Sequence, residues 1–96
     1  MGFCMKRKIQ FIYPAVFVKD EDNLFQVFFP DLNIFAEGKD LSEAFLNAKD
    51  TLFVYFNYVM KYETEYNTPT KLQALIDKCK PNETIMYIDA VVEVDV

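Results

Sequence analysis

The strongest constraint on how this chain can fold is a long stretch free of helix breakers, opened by a clear start signal. Asp40-Leu41-Ser42-Glu43 fits a capping box, in which Asp40 accepts from the amide of Glu43 and the Glu43 side chain reaches back. No Gly or Pro follows until Pro69, so the spacing predicts a helix from Leu41 to about Tyr62, where the polar run Tyr62–Thr68 takes over. Leu41, Ala44, Phe45, Ala48, Leu52, Tyr55 and Val59 recur at helical spacing and form a stripe suited to lie on a sheet. Leu46, Phe53 and Met60 form a second set about a quarter-turn away, with Phe56 between the two. Together they make an apolar arc of about 200°, where a surface helix needs only about 100°. The second flank therefore needs a cover of its own. Either a short second helix over Thr70–Lys78 supplies it, through Leu72, Leu75 and Ile76, or another subunit does. Leu46, Phe53, Phe56 and Met60 are accordingly the candidate self-association residues.

Strands are predicted on both sides of this helix. Ile9–Val18 is apolar and rich in aromatic and β-branched residues, and the polar turn cluster Lys19–Asn23 follows it. Leu24–Phe29 reads as the second arm of an antiparallel hairpin, with Phe25, Val27 and Phe29 on one face and Gln26 on the other. Pro30-Asp31 ends it, because proline has no amide to give a ladder. Ile34–Glu37 is a short third strand, and Gly38 is expected to permit the bend into the helix. After the turn signal Lys80-Pro81-Asn82-Glu83, Thr84–Val92 is a fourth strand with Ile85, Tyr87, Asp89 and Val91 on one face and Met86, Ile88, Ala90 and Val92 on the other. Two largely apolar faces predict a central position for it. The order is an α+β two-layer sandwich, β-β-β-α-(α)-β: a mainly antiparallel sheet with one long helix packed on one face, in a single domain over residues 1–96.

Composition narrows the function. In 96 residues, 52% are hydrophobic and 17% aromatic, including ten Phe and six Tyr. A chain this small buries only about 60% of its unfolded surface, so either the core is unusually aromatic or some of those rings lie at a subunit or partner interface. The net charge of −5 repels a phosphate backbone and suits a basic protein partner. The one basic run, Lys6-Arg7-Lys8, is read as solvating the first strand. The aromatics are not interleaved with Lys or Arg, as a base-stacking RNA groove would require.

With no His in the chain, imidazole-assisted nucleophiles and imidazole-bound zinc are excluded. Only Gly2 and Gly38 are present, too few for a glycine-rich phosphate loop. Cys4 and Cys79 are expected to be reduced thiols without metal companions. Asp20-Glu21-Asp22 resembles the start of a calcium loop, but the Gly and the closing Glu are missing. Asp31 and Asp89 are the pair that could converge on a metal ion in a nuclease-like reading. No catalytic, cofactor-binding or metal-ligating residue is otherwise predicted. The apolar run after Lys6-Arg7-Lys8 is interrupted by Gln10 and Pro14 and is too short to span a bilayer, and Lys6 stands where a myristoylation motif needs Ser or Thr. A cytoplasmic chain without a membrane anchor is the expectation.

The run Tyr13-Pro14-Ala15-Val16-Phe17, then Lys19-Asp20-Glu21-Asp22, then Phe29-Pro30-Asp31-Leu32 resembles the N-terminal domain of HicB antitoxins. Gly38-Lys39-Asp40-Leu41-Ser42-Glu43-Ala44 and Asn47-Ala48 continue the pattern, and the segments from Pro69 and at Ile88-Asp89-Ala90-Val91 resemble its closing part. The resemblance implies a reduced RNase H-like fold, self-association as a homodimer or tetramer, and neutralisation of a small basic HicA-type toxin that cleaves mRNA. Neutralisation would proceed by occlusion, without catalysis. Asp20, Glu21, Asp22 and Asp31 are the candidate partner-binding residues. Two departures stand out. Asn33-Ile34-Phe35 replaces the family's frequent Pro-Gly-Cys, and the sequence closes at Val96 without a helix-turn-helix or ribbon-helix-helix module. Direct DNA binding is therefore not expected of it. The alternatives are a metal-dependent nuclease or RNA-binding remnant of an RNase H-like fold, and an orphan homo-oligomer without a toxin.

Overall fold

A computed structural model describes residues 6–95 of the chain; Cys4 and the Met1-Gly2 terminus lie outside the described residues. The elements are β1 (Lys6–Lys19), β2 (Phe25–Phe29), β3 (Ile34–Gly38), α1 (Leu41–Tyr62), α2 (Leu72–Ile76) and β4 (Glu83–Asp95). They build a four-stranded antiparallel sheet in the order β3-β2-β1-β4, with α1 across one face. This is the expected two-layer α+β sandwich.

Pairing explains the shape. β1 pairs with β4 along thirteen positions, from Lys6↔Asp95 to Val18↔Glu83, but with β2 only from Val16 to Lys19. Pro14 and Pro30 sit where the β1–β2 ladder stops, and proline at that point leaves no amide unpaired. The remainder of β1 and β4 runs on as a two-stranded ribbon, so the molecule measures 57 × 27 × 17 Å. The strand reaches back to Lys6, before the predicted start at Ile9, because Lys6 and Lys8 project from the ribbon, where Lys6 pairs with Glu93 at 3.8 Å.

α1 has the predicted bounds. Asp40 accepts from the Glu43 amide at 2.8 Å, while the Glu43 carboxylate reaches back to the Lys39 amide. The helix stops at Glu63, which adopts a left-handed conformation (φ 52°) and returns its amide to the Val59 carbonyl. Ala44, Ala48, Leu52, Phe56 and Val59 are its buried residues, over a sheet face formed by Phe11, Tyr13, Ala15, Phe17, Val27, Phe29, Ile88, Ala90 and Val92. Leu41, expected on this stripe, stays exposed at the helix start.

Two expectations about backbone and position are corrected. Gly38 does not use positive φ. It is required because a Cβ there would stand 2.2 Å from the Ala44 amide nitrogen, so β3 and α1 touch backbone to backbone. β4 is an edge strand, not a central one. Its second apolar face reflects something other than burial inside the sheet.

Candidate protein-interaction surfaces

The strand register creates an apolar strip on the sheet face away from α1. Phe35, Phe28, Val16 and Ile85 are direct cross-strand partners and form one row across all four strands. The rings of Phe28 and Phe35 stack at 5.0 Å, and Phe35 is 66% exposed. Along β1 and β4 the strip continues through the exposed Tyr87, Ile12 and Val91. Patches of this kind on a small domain mark interaction sites.

Its hairpin end is acidic. The neighbouring row is Glu37, Gln26, Val18 and Glu83, and the β1–β2 turn with exposed Glu21 and Asp22 lies just beyond it. Carboxylates beside a partly exposed apolar strip favour a basic partner over an acidic one. None of this was legible without the register. The available signal was the largely apolar run Ile9–Val18, which in a hairpin strand leaves both faces apolar.

The carboxylates selected from sequence fall into different environments. Asp20 holds the turn itself: its Oδ1 accepts from the amides of Asp22 (2.9 Å) and Leu24 (3.0 Å), and Asn23 takes the left-handed conformation the turn needs. Asp31 is an internal staple. Its carboxylate accepts from the amide (2.9 Å) and the hydroxyl of Thr70, and its carbonyl accepts from Asn67 Nδ2 at 2.8 Å. The Tyr13 hydroxyl donates to the Asn67 carbonyl at 2.5 Å, closing a network that fastens the segment after α1 to the sheet. Burial, and then the neighbouring Tyr66 and Asp31, push the Tyr13 phenol up to about 12. Both carboxylate oxygens of Asp31 are thus engaged by Thr70, one by its amide and one by its hydroxyl.

Asp89 belongs to a separate set. It accepts from Gln10 Nε2 at 3.3 Å and pairs with Lys49 Nζ at 3.3 Å, and these two donors hold its carboxyl below the usual range. Asp31 and Asp89 share no hydrogen-bond partner, and among the described residues no group of three or more His, Cys, Asp or Glu could hold a metal ion. Cys79 is a free thiol whose Sγ lies 3.2 Å from the Glu83 carbonyl, in the turn that starts β4.

The self-association set divides. Leu46 and Phe53 are exposed, at 64% and 41%, and Met60 is half-buried. Phe56 must be removed from the set: it is fully buried, stacked on Phe11 at 3.8 Å with Tyr13, Tyr55 and Tyr66 around it. The predicted cover, α2, is short, buries none of its residues and packs against β4, so it leaves Leu46 and Phe53 uncovered. Shallow grooves run along the seam between α1 and β4, lined by Leu41, Phe45, Leu46 and Met86, then Phe53 and Val91, then Met60 and Val94.

Among the described residues no helix is long and apolar enough to cross a membrane. A protein-family model, the HicB-like antitoxin of bacterial toxin–antitoxin systems, matches residues 13–96. No curated protein and no solved structure matches the chain.

Proposed function

The chain belongs to the HicB-like antitoxin family, and from that premise we propose that it works as a non-catalytic binding module for a small basic HicA-type toxin. Inhibition comes from covering the toxin's mRNA-cleaving surface, in the cytoplasm, with no chemistry by the antitoxin. The observation that carries this reading is the Phe35–Phe28–Val16–Ile85 row bordered by Glu37, Glu83, Glu21 and Asp22. An apolar centre supplies desolvation energy, and an acidic border steers a basic partner and fixes its orientation. Asp20 and Asp31 support this surface indirectly, by shaping the turn and by fastening the chain after α1.

The test is affinity between the purified chain and the small basic protein encoded beside it. Phe35→Ser should weaken binding at least about tenfold by removing an exposed aromatic anchor. Glu21→Lys with Asp22→Lys should slow association and reduce its dependence on salt. Tight binding unaffected by either change would move the contact off this face. Absence of binding, with no rescue of growth from that protein's toxicity, would sink the reading.

A further inference from the structure

The sheet face away from α1 holds a groove that combines an aromatic surface with an open carboxylate. Phe35 and Glu37 of β3 point to this face, because Ile34 and Ala36 pack against the core. Directly opposite them on β2 stand Phe28 and Gln26, and Val18 of β1 lies opposite Gln26. These five residues line a shallow groove of about 430 Å³. One part of it is aromatic: the Phe28 and Phe35 rings stack at 5.0 Å with 27° between their planes, and Phe35 is largely exposed. The other part is anionic. Glu37 is exposed and stands two residues from Phe35, about 6.6 Å along the strand. Among the described residues the ion pairs are Lys6–Glu93 and Lys49–Asp89, so neither Lys39 nor any other cation is paired with Glu37. Asn47 bonds the Glu37 carbonyl and leaves its carboxylate free, whereas Glu83, in the same row, accepts from the Lys80 amide at 2.8 Å. On this face of β1 the basic residues are Lys6 and Lys8, and Lys8 is ten residues, about 33 Å, from Val18.

We propose that this groove is a guanidinium site, in which an arginine of the basic partner lies on the Phe28–Phe35 rings and directs its fork at the Glu37 carboxylate. The inference rests on the proposed function for the partner and adds the side chain that the face selects. The faces of aromatic rings carry negative potential and attract a cation within about 6 Å of the ring centre. A guanidinium is flat and weakly hydrated, so it can stack on a ring and bond a carboxylate at the same time. The Gln26 amide oxygen, on the residue opposite Glu37, is a neighbouring acceptor for its remaining N–H groups. Other occupants fit less well. A lysine ammonium is a compact, strongly hydrated charge that can take the carboxylate but gains less from the rings. An apolar side chain would use the rings and leave Glu37 desolvated without a donor, which costs free energy. A nucleotide base could stack, but its phosphate would meet Glu37 and a chain of net charge −5. The apolar row supplies contact area that many partners could use, and the Glu37 end supplies the discrimination.

A small probe tests the site apart from the toxin. N-acetyl-arginine amide titrated into the full chain with isotope-labelled phenylalanine should move the Phe28 and Phe35 ring signals in NMR spectra. The initial slope should be at least about threefold that of N-acetyl-lysine amide at equal concentration, a comparison that cancels the effect of salt. Glu37→Gln, and Phe35→Leu read on the Phe28 ring, should each cut the arginine slope at least about threefold with an unchanged far-UV circular dichroism spectrum. In the complex, one Arg→Lys substitution in the neighbouring basic protein should weaken binding to the parent chain at least about fivefold. The same substitution should cost far less against Glu37→Gln, as direct coupling of the two groups requires. No arginine response, an equal response to both probes, a response centred away from Phe28 and Phe35, or a complex in which no arginine couples to Glu37 would each overturn the site, even where Phe35→Ser still weakens toxin binding. An arginine-selective response in a chain that fails to bind the basic protein would uphold the groove's selectivity and sink the toxin reading instead.

Discussion

Replacing Gly38 by alanine should destabilise the protein by about 2–4 kcal/mol. The added Cβ would lie 2.2 Å from the Ala44 amide nitrogen and 2.6 Å from the Ala44 Cα. Both neighbours are helix backbone, so neither can turn aside as a side-chain tip would. Restoring a contact of about 3.4 Å means moving the first turn of α1 away from β3 by roughly an ångström, a shift that forfeits much of the dispersion energy of the atoms it separates. Ala44 and Ala48, both fully buried, are small so that the helix can sit close to the sheet, and that closeness is what the methyl group spoils. Overpacking alone costs about 1–3 kcal/mol, and loosening the adjoining alanine contacts adds to it. The opposing effect is known: without positive φ, Gly→Ala stabilises by about 0.4–1 kcal/mol by restricting the unfolded chain. The two effects have opposite signs, so the experiment discriminates between them. Urea unfolding followed by circular dichroism should show a lower midpoint with an unchanged slope, and the melting temperature should fall by about 10–20 °C. A neutral or stabilised Gly38→Ala variant would refute the close approach of β3 and α1.

Phe56→Ala should cost about 3–5 kcal/mol, as expected for a fully buried ring in contact with Phe11 and Tyr13, and urea titration measures it. Asp31→Ala should cost about 1–2 kcal/mol and open residues 64–71 to limited proteolysis, since both Thr70 hydrogen bonds are lost. Tyr13 titrates higher in the folded state, about 12, than its ordinary value of 10. Its contribution is therefore fully present below pH 10 and is lost as pH rises from 10 to 12. The loss should be on the order of 1 kcal/mol after discounting for solvent screening. Unfolding midpoints of the parent and of Tyr13→Phe should converge across that interval.

What the sequence revealed and what it concealed separate by the range of the interactions involved. α1 was legible to the residue because its signals are local: the Asp40 cap, the Gly- and Pro-free run, and the polar stretch after Tyr62. The hairpin was legible for the same reason. The two apolar faces of β4 predict a central strand, yet it lies at the sheet edge, because apolar pattern cannot distinguish burial within a sheet from burial against a partner. Phe56 looked intermediate between two stripes on a helical wheel. Its fate was decided by Phe11 and Tyr13, far away in the chain, which place two rings beneath it. Asp31 looked available for a partner until a segment almost forty residues later closed on it through Thr70. The acidic-bordered strip on the second face depends wholly on register, which no single strand encodes.

In the function proposed above, this HicB-like chain silences a basic mRNA-cleaving partner through its acidic-bordered sheet face. The most direct measurement is cleavage of a labelled mRNA by the purified neighbouring toxin, titrated with this chain and, in parallel, with Phe35→Ser. The parent chain should abolish cleavage at a fixed stoichiometry, and Phe35→Ser should need at least about tenfold more protein for the same effect. Cleavage that continues undiminished under excess parent chain would contradict it, as would equal inhibition by both proteins.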